Sequence, residues 1–149
     1  DVGMQYSMNP YQGCEHGCIY CYARNTHEFW GYSAGLDFER KILIKEDAPK
    51  LLEAKLKNKK WKACTIVLSG NTDCYQPAEK KFEITRACLE IFLKYKHPVG
   101  IITKNSLILR DLNILKKEEF PNSVNKINRK IQSVIFSTDF KYWQFKQLL

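Results

Sequence analysis

No apolar run in this chain approaches the ~20 residues needed to span a bilayer, so no membrane helix is expected. Residues 1–13 combine neither a basic start nor an apolar middle, so no secretory signal is read there. Internal repeats and low-complexity tracts are absent too, which sets aside solenoids and tethering segments. No recognition motif for DNA or RNA is visible. What remains is a globular composition of 149 residues, 44% of them apolar, which suits one domain or part of one. The chain opens on Asp1 rather than Met, from which a further N-terminal piece is expected.

The formal net charge is +8. Much of the excess lies in Lys41, Lys45, Lys50, Lys55, Lys57, Lys59, Lys60 and Lys62. A basic balance permits nucleic-acid binding without demonstrating it. The plainer reading is a solvated helix face.

Phe38–Ile44 reads as a strand. Ala48–Lys59 reads as an amphipathic helix, with Leu51, Leu52, Ala54 and Leu56 on one side, Asp47 as N-cap and Pro49 in the first turn. Thr65–Leu68 is a short, continuously apolar strand ending at Ser69-Gly70, and Asn71–Pro77 is a loop. Glu79–Tyr95 reads as one helix, with Phe82, Ala87, Cys88, Ile91 and Phe92 as its apolar set. Val99–Thr103 is a buried strand, Leu107–Lys117 a helix and Ser133–Ser137 one more strand. Apolar strands separated by helices imply right-handed βαβ units and a parallel sheet, hence an α/β fold. Four or five strands are too few for a closed eight-stranded barrel of ~250 residues, so the expectation is an open sheet or a partial (β/α) barrel. The tail, Glu118–Leu149, is broken up by Asn122, Asn125 and Asn128. It ends on an aromatic run of Phe140, Tyr142, Trp143 and Phe145 that calls for a partner surface.

Six cysteines would suggest disulfides in a small secreted chain, but nothing points to secretion. The compartment is read as reducing and the location as cytoplasmic. Cys14, Cys18 and Cys21 stand close together as C-x3-C-x2-C. Three thiolates on one short loop can hold three irons of a cubane cluster and leave the fourth open to a substrate or cofactor. Structural zinc asks for four ligands, commonly in two C-x2-C pairs. His16 could be a fourth ligand, but its place inside the loop makes tetrahedral closure awkward, and Cys64, Cys74 and Cys88 form no second pair. Cys88 lies on the apolar stripe of a helix and Cys64 begins a strand, so both read as packing. His97 precedes Pro98 in a turn with no visible partner, and His27 lines a pocket or only a loop.

The run Cys14-x3-Cys18-x-Tyr20-Cys21, with an aromatic residue just before the last cysteine, resembles the signature of the radical S-adenosylmethionine superfamily. Asn9-Pro10-Tyr11-Gln12-Gly13-Cys14 with Tyr22-Ala23-Arg24 resembles a subgroup related to spore photoproduct lyase. So do Thr72–Glu79 and Ile102-Thr103-Lys104-Asn105, and together these motifs cover residues 5–112.

The resemblance implies a 4Fe–4S cluster on Cys14, Cys18 and Cys21, with S-adenosylmethionine chelating the open iron through its amino and carboxylate groups. One-electron cleavage would then yield a 5′-deoxyadenosyl radical that takes hydrogen from a substrate. It also implies an electron donor such as flavodoxin or ferredoxin. The turn Ser69–Asp73 would meet the methionine amino group, Gly70 by close backbone approach and Asn71, Thr72 and Asp73 by their oxygens. Thr72 and Asp73 alternatively cap the next helix. Tyr20 would pack on the adenine side, or only within its loop. Arg24 and Lys104 would neutralise the cluster or the methionine carboxylate, or form surface ion pairs. Glu79 is a candidate for offsetting a helix dipole in a first turn. Cys74, on a loop expected to face the cluster, is a candidate hydrogen donor to a substrate radical. Sites at the carboxyl ends of parallel strands agree with this placement.

The family core has six βα units, and this chain reads as its N-terminal portion over 1–112, with a divergent or truncated tail over 113–149. Ser133–Thr138 matches a later strand only weakly. The rest of the cofactor site is expected from elsewhere, unless activity has been lost. An incomplete sheet leaves an edge that invites association. Two other readings stand beside the radical enzyme: a metal- or cluster-binding fragment without catalysis, and a basic nucleic-acid-binding module of DNA-repair type. The substrate is not written in these motifs.

Overall fold

A computed structural model describes residues 6–116. Three short strands, β1 (Tyr6–Met8), β4 (Ile66–Leu68) and β5 (Val99–Ile101), form a parallel sheet in the order β1-β4-β5. Ile66 stands opposite Tyr6 on one side and Val99 on the other, and Leu68 opposite Met8 and Ile101. The central strand is buried at every position, as its unbroken apolar run requires. Within the described residues the sheet edges are β1 and β5.

A second, antiparallel pair joins β2 (Tyr11–Gln12) to β3 (Leu43–Ile44), with Tyr11 opposite Ile44. The strand expected over Phe38–Ile44 is therefore mostly something else. Leu36–Arg40 is a helix, α1, steadied by an Asp37–Lys41 pair at 3.2 Å, and only the last two residues extend. Phe38 drives the difference: fully buried, it packs with Cys14 and Ala23 under the cysteine loop. The connection between the cysteines and α1 is a 3-10 segment, Tyr22–Trp30.

Helix α2 (Ala48–Lys57) begins where Asp47 and Pro49 predict. Asp47 contributes its backbone carbonyl, which accepts from Leu51, and no side-chain cap. Leu52 is buried but Leu51 is 67% exposed, so the apolar stripe is narrower than its sequence suggests. The helix expected over Glu79–Tyr95 is two, α3 (Glu79–Phe82) and α4 (Ile84–Lys94), separated at Glu83 with φ +50°. The buried Glu79 carboxylate makes the break: it accepts the backbone N–H groups of Thr85 at 2.9 Å and Arg86 at 3.2 Å, capping α4 from the preceding helix. Helices α2 and α4 pack on each other, and Leu52, Leu89 and Phe92 join Leu68 in the main core. Full burial of such side chains stabilises by about 1.5–3 kcal/mol each.

The expected helix over Leu107–Lys117 is a 3-10 segment, Ser106–Asp111, continuing into α5 (Leu112–Leu115). The expected strand over Ser133–Ser137 lies outside the described residues. Among the described residues no helix is long and apolar enough to cross a membrane. All six cysteines are free. His97 does have a partner: its Nε2 accepts from Trp61 Nε1 at 3.0 Å, which leaves Nδ1 to donate to the Pro98 carbonyl at 2.9 Å. Burial lowers its pKa.

Candidate functional site

The cysteine loop leaves β2 at Gly13, whose φ is +81°. A Cβ there would lie 2.9 Å from the Phe38 carbonyl oxygen and 3.1 Å from His27 Cε1, so only glycine fits. Cys14 then donates its N–H to that carbonyl at 2.8 Å. Each cysteine heads a turn, since the carbonyls of Cys14, Cys18 and Cys21 accept from Gly17, Cys21 and Arg24 at 3.4, 3.2 and 3.4 Å. Arg24 braces the loop from behind. Its Nε donates to the Cys18 carbonyl at 3.1 Å, its Nη1 to Ala34 and Gly35 carbonyls, and its Nη2 pairs with Glu39. Of the two expectations for Arg24, the ion pair is the one observed. His27 is fully buried behind the loop against Phe38 and Tyr32.

The loops leaving β4 and β5 meet the cysteine loop through three of their side chains, Asp73, Gln76 and Lys104. Asp73 Oδ1 accepts from the Tyr75 N–H at 2.8 Å and the Thr103 hydroxyl at 2.7 Å, and Oδ2 from the Lys104 N–H at 3.0 Å. His16 Nε2 stands 3.3 Å from the same Oδ2, at an ion-pair distance but outside hydrogen-bond geometry. Burial alone would raise the Asp73 pKa, but His16, Thr103 and the two N–H groups outweigh it and hold the carboxyl below its usual range. Gln76, fully buried, is the second link. Its Nε2 donates to the Gly13 carbonyl at 3.1 Å, and its Oε1 accepts from the Glu15 N–H at 3.0 Å. From the β5 side, Lys104 Nζ reaches Cys18 Sγ at 2.7 Å.

The turn Ser69–Asp73 is close by, with the oxygens of Ser69, Gly70, Thr72 and Asp73 already engaged. Gly70 permits a close approach to Ser7 of β1: a Cβ there would lie 2.8 Å from Ser7 Cβ. The Gly70 carbonyl accepts from the Tyr22 hydroxyl. The N–H groups of Asn71 and Thr72 point to Asn9 Oδ1, at 2.8 and 3.4 Å. The buried Thr72 hydroxyl donates to the Tyr11 carbonyl. Thr72 and Asp73 thus cap no helix, and Asn71 is the exposed side chain of the turn. Tyr20 is half-exposed beside Cys18 and Cys21; desolvation, a hydrogen bond to Cys18 and the two cysteines push its pKa up to about 12. Cys74 departs from its expected place facing the cluster. It is fully buried in the main core, with its N–H on Ser69 Oγ at 2.8 Å and its carbonyl on the Thr85 hydroxyl at 2.6 Å. Burial raises its pKa well above that of an ordinary thiol.

Beneath the site runs a buried ionic network. Tyr11 donates to Glu79, which pairs with Arg110 at 2.7 Å; Arg110 also meets Asp111, which accepts from Tyr75 at 3.1 Å and pairs with Arg86. The roles of Asn9, Tyr11, His16 and Gln76 are not readable from residue type. Their only signal is membership of the short motifs around the cysteines and after β4.

Among the described residues, no three His, Cys, Asp or Glu side chains converge on a single-ion site. A cubane cluster asks something different, because it spreads three thiolates over three irons. Burial raises the Cys14 thiol to about 11, so a bound metal would have to offset that cost to hold it as thiolate.

Residues 8–136 match the family profile described as the Radical SAM superfamily. An uncharacterized protein of Mycobacterium tuberculosis is 34% identical over 122 residues, 80% of this chain and 36% of the relative. One of Mycobacterium bovis gives the same figures. An uncharacterized protein of Methanocaldococcus jannaschii is 36% identical over 115 residues, 77% of this chain and 41% of the relative. The chain therefore spans well under half the length of these relatives. No solved structure matches.

Proposed function

The chain belongs to the radical SAM superfamily, and we propose on that premise that it carries the N-terminal part of an iron–sulfur enzyme that cleaves S-adenosylmethionine reductively. Family membership implies in general a 4Fe–4S cluster and S-adenosylmethionine, which when bound supply a 5′-deoxyadenosyl radical for hydrogen abstraction. In this reading Cys14, Cys18 and Cys21 are the iron ligands. The single observation that carries it is the meeting of three motifs, far apart in sequence, around Asp73 and the Lys104–Cys18 contact.

Each group then has a task. Gly13, Arg24 and Gln76 hold the loop backbone in one conformation. Asn71 and the backbone of its turn are left to receive an ammonium group, because Thr72 and Asp73 are spent internally. Asp73 acts by position, tying the Lys104 loop to the cysteine loop. Tyr20, half-exposed beside two cysteines, offers a ring to an adenine. The motif set favours the subgroup related to spore photoproduct lyase, a one-electron donor of flavodoxin or ferredoxin type as partner, and a reducing, cytoplasmic setting.

The test is anaerobic reconstitution of the chain. The reading expects about four irons per chain and formation of 5′-deoxyadenosine on reduction with S-adenosylmethionine, both lost in Cys18→Ala. Iron without 5′-deoxyadenosine would favour a cluster-binding part without catalysis. Failure to retain iron would end the proposal.

A further inference from the structure

Lys104 Nζ lies 2.7 Å from Cys18 Sγ, and although this lysine is exposed, its backbone is held in place. Its N–H donates to Asp73 Oδ2 at 3.0 Å, and the Thr103 hydroxyl beside it to Asp73 Oδ1 at 2.7 Å. On the other side the Asn105 N–H donates to Thr103 Oγ1 at 3.0 Å, and Asn105 Oδ1 accepts from Leu107 at 2.9 Å, capping the 3-10 segment that follows. The same Asp73 stands beside His16 on the cysteine loop. Donor and acceptor are thus both referenced to one partly buried carboxylate. Among the described residues no carboxylate pairs with the Lys104 ammonium, whereas the neighbouring Arg24 is neutralised by Glu39 and meets the Cys18 carbonyl instead of its sulfur.

We propose that Lys104 sets the reduction potential of the cluster through a charged hydrogen bond to the Cys18 sulfur. The inference rests on the reading of Cys18 as an iron ligand. A cation donating to a ligand sulfur stabilises the reduced form, which carries one more negative charge, and so raises the potential. The electron comes from a one-electron donor of flavodoxin or ferredoxin class, and the lysine keeps its proton throughout. Lys104 is a tuning residue here, acting on a ligand and not on the reacting carbon or sulfur of a substrate.

The experiment is a redox titration of the anaerobically reconstituted full chain without S-adenosylmethionine, followed by the electron-spin signal of the reduced cluster. At a fixed poise, Lys104→Met is expected to lower the ratio of reduced to oxidised cluster about tenfold, equivalent to a potential about 59 mV more negative for a one-electron couple. Lys104→Arg, which keeps a charged donor, stays close to wild type. If Lys104→Met does not retain iron, Lys104→Gln decides by the same measure, with a smaller shift in the same direction expected. An unchanged potential in a loaded Met or Gln variant overturns the inference. If S-adenosylmethionine binding by equilibrium dialysis falls in that variant, the ammonium serves the cosubstrate instead. Wild-type protein that holds no iron overturns the function reading together with this one. Loaded wild type with unshifted variants overturns this one alone.

Discussion

Gly13 and Gly31 have nearly the same backbone, with φ of +81° and +76°, but very different surroundings. A Cβ on Gly31 meets nothing within 4 Å, while one on Gly13 meets the Phe38 carbonyl, His27 and Ile42. Gly31→Ala should therefore cost only the left-handed penalty, about 1–2 kcal/mol. Gly13→Ala adds overpacking of a further ~1–3 kcal/mol and should also displace the cysteine loop. Urea unfolding of both variants measures the difference, and equal costs would refute the close approach. The thiols give a second comparison. Cys74 and Cys88 are fully buried, and burial pushes Cys88 up to about 12 and Cys14 up to about 11. Under native conditions at neutral pH, iodoacetamide should label the partly exposed Cys18, Cys21 and Cys64 first and leave Cys74 and Cys88 unmodified. Mass spectrometry of the labelled peptides reads the order, and early labelling of Cys74 would contradict its place in the core.

The broken helix shows how one buried side chain overrides a regular pattern. The periodicity of Glu79–Tyr95 is sound over α4, but Glu79 caps the amides of Thr85 and Arg86 while holding Arg110 and Tyr11, and the chain turns at Glu83 to let it. Glu79→Ala would leave Arg110 without this partner and the cap unmade, a loss of roughly 3–5 kcal/mol in denaturant unfolding. A loss below ~1 kcal/mol, the worth of an exposed pair, would show the network to be ornamental. Its other carboxylate, Asp111, carries a pH signature. Burial pushes its pKa up, but hydrogen bonds from Arg110, Arg86 and Tyr75 win and hold it below the ordinary value. A depressed folded pKa means the contribution is whole above the unfolded value of about 3.9 and disappears as pH falls through the folded one. Stability should thus decline below about pH 4, and Asp111→Asn should flatten that acid limb in melting curves taken from pH 2 to 6. An unchanged limb would assign the acid sensitivity to other carboxylates.

Across the molecule, apolar surface is distributed unevenly. Ile19 is 94% exposed and Phe29 90%, with Tyr20, Tyr22 and Trp30 more than half exposed, all on the cysteine loop or the 3-10 segment after it. Side chains this open contribute little to the fold, so Phe29→Ser with Trp30→Ser should change unfolding free energy by no more than ~0.5 kcal/mol per site. The same double variant should sharply reduce binding of a hydrophobic dye, because it removes apolar surface beside the site. Dye binding that persists would place the sticky surface elsewhere. Of the basic stretch, only Lys50, Lys55 and Lys57 lie on a helix, α2, where Lys57 pairs with Glu53 at 3.3 Å and Lys55 covers the Trp61 ring.

Much of this protein is legible from its residues. Short apolar runs mark the strands Ile66–Leu68, buried throughout, and Val99–Ile101, buried at Val99, and Asp47 with Pro49 marks the start of α2, because burial and backbone geometry act locally. The spacing of Cys14, Cys18 and Cys21 and the motifs after each strand identify the family for the same reason: ligand chemistry needs particular residue types at particular intervals. What local pattern could not supply is who partners whom. Phe38 reads as strand until it is needed beneath Cys14, Glu79 as a helix residue until it caps the next helix, and Cys74 as a loop thiol until the core takes it. Asp73 looks like a ligand for an ammonium, yet its oxygens go to Thr103, Tyr75 and Lys104, with His16 alongside. These assignments depend on contacts between residues far apart in sequence, where burial makes an unpaired polar group costly and so selects its partner.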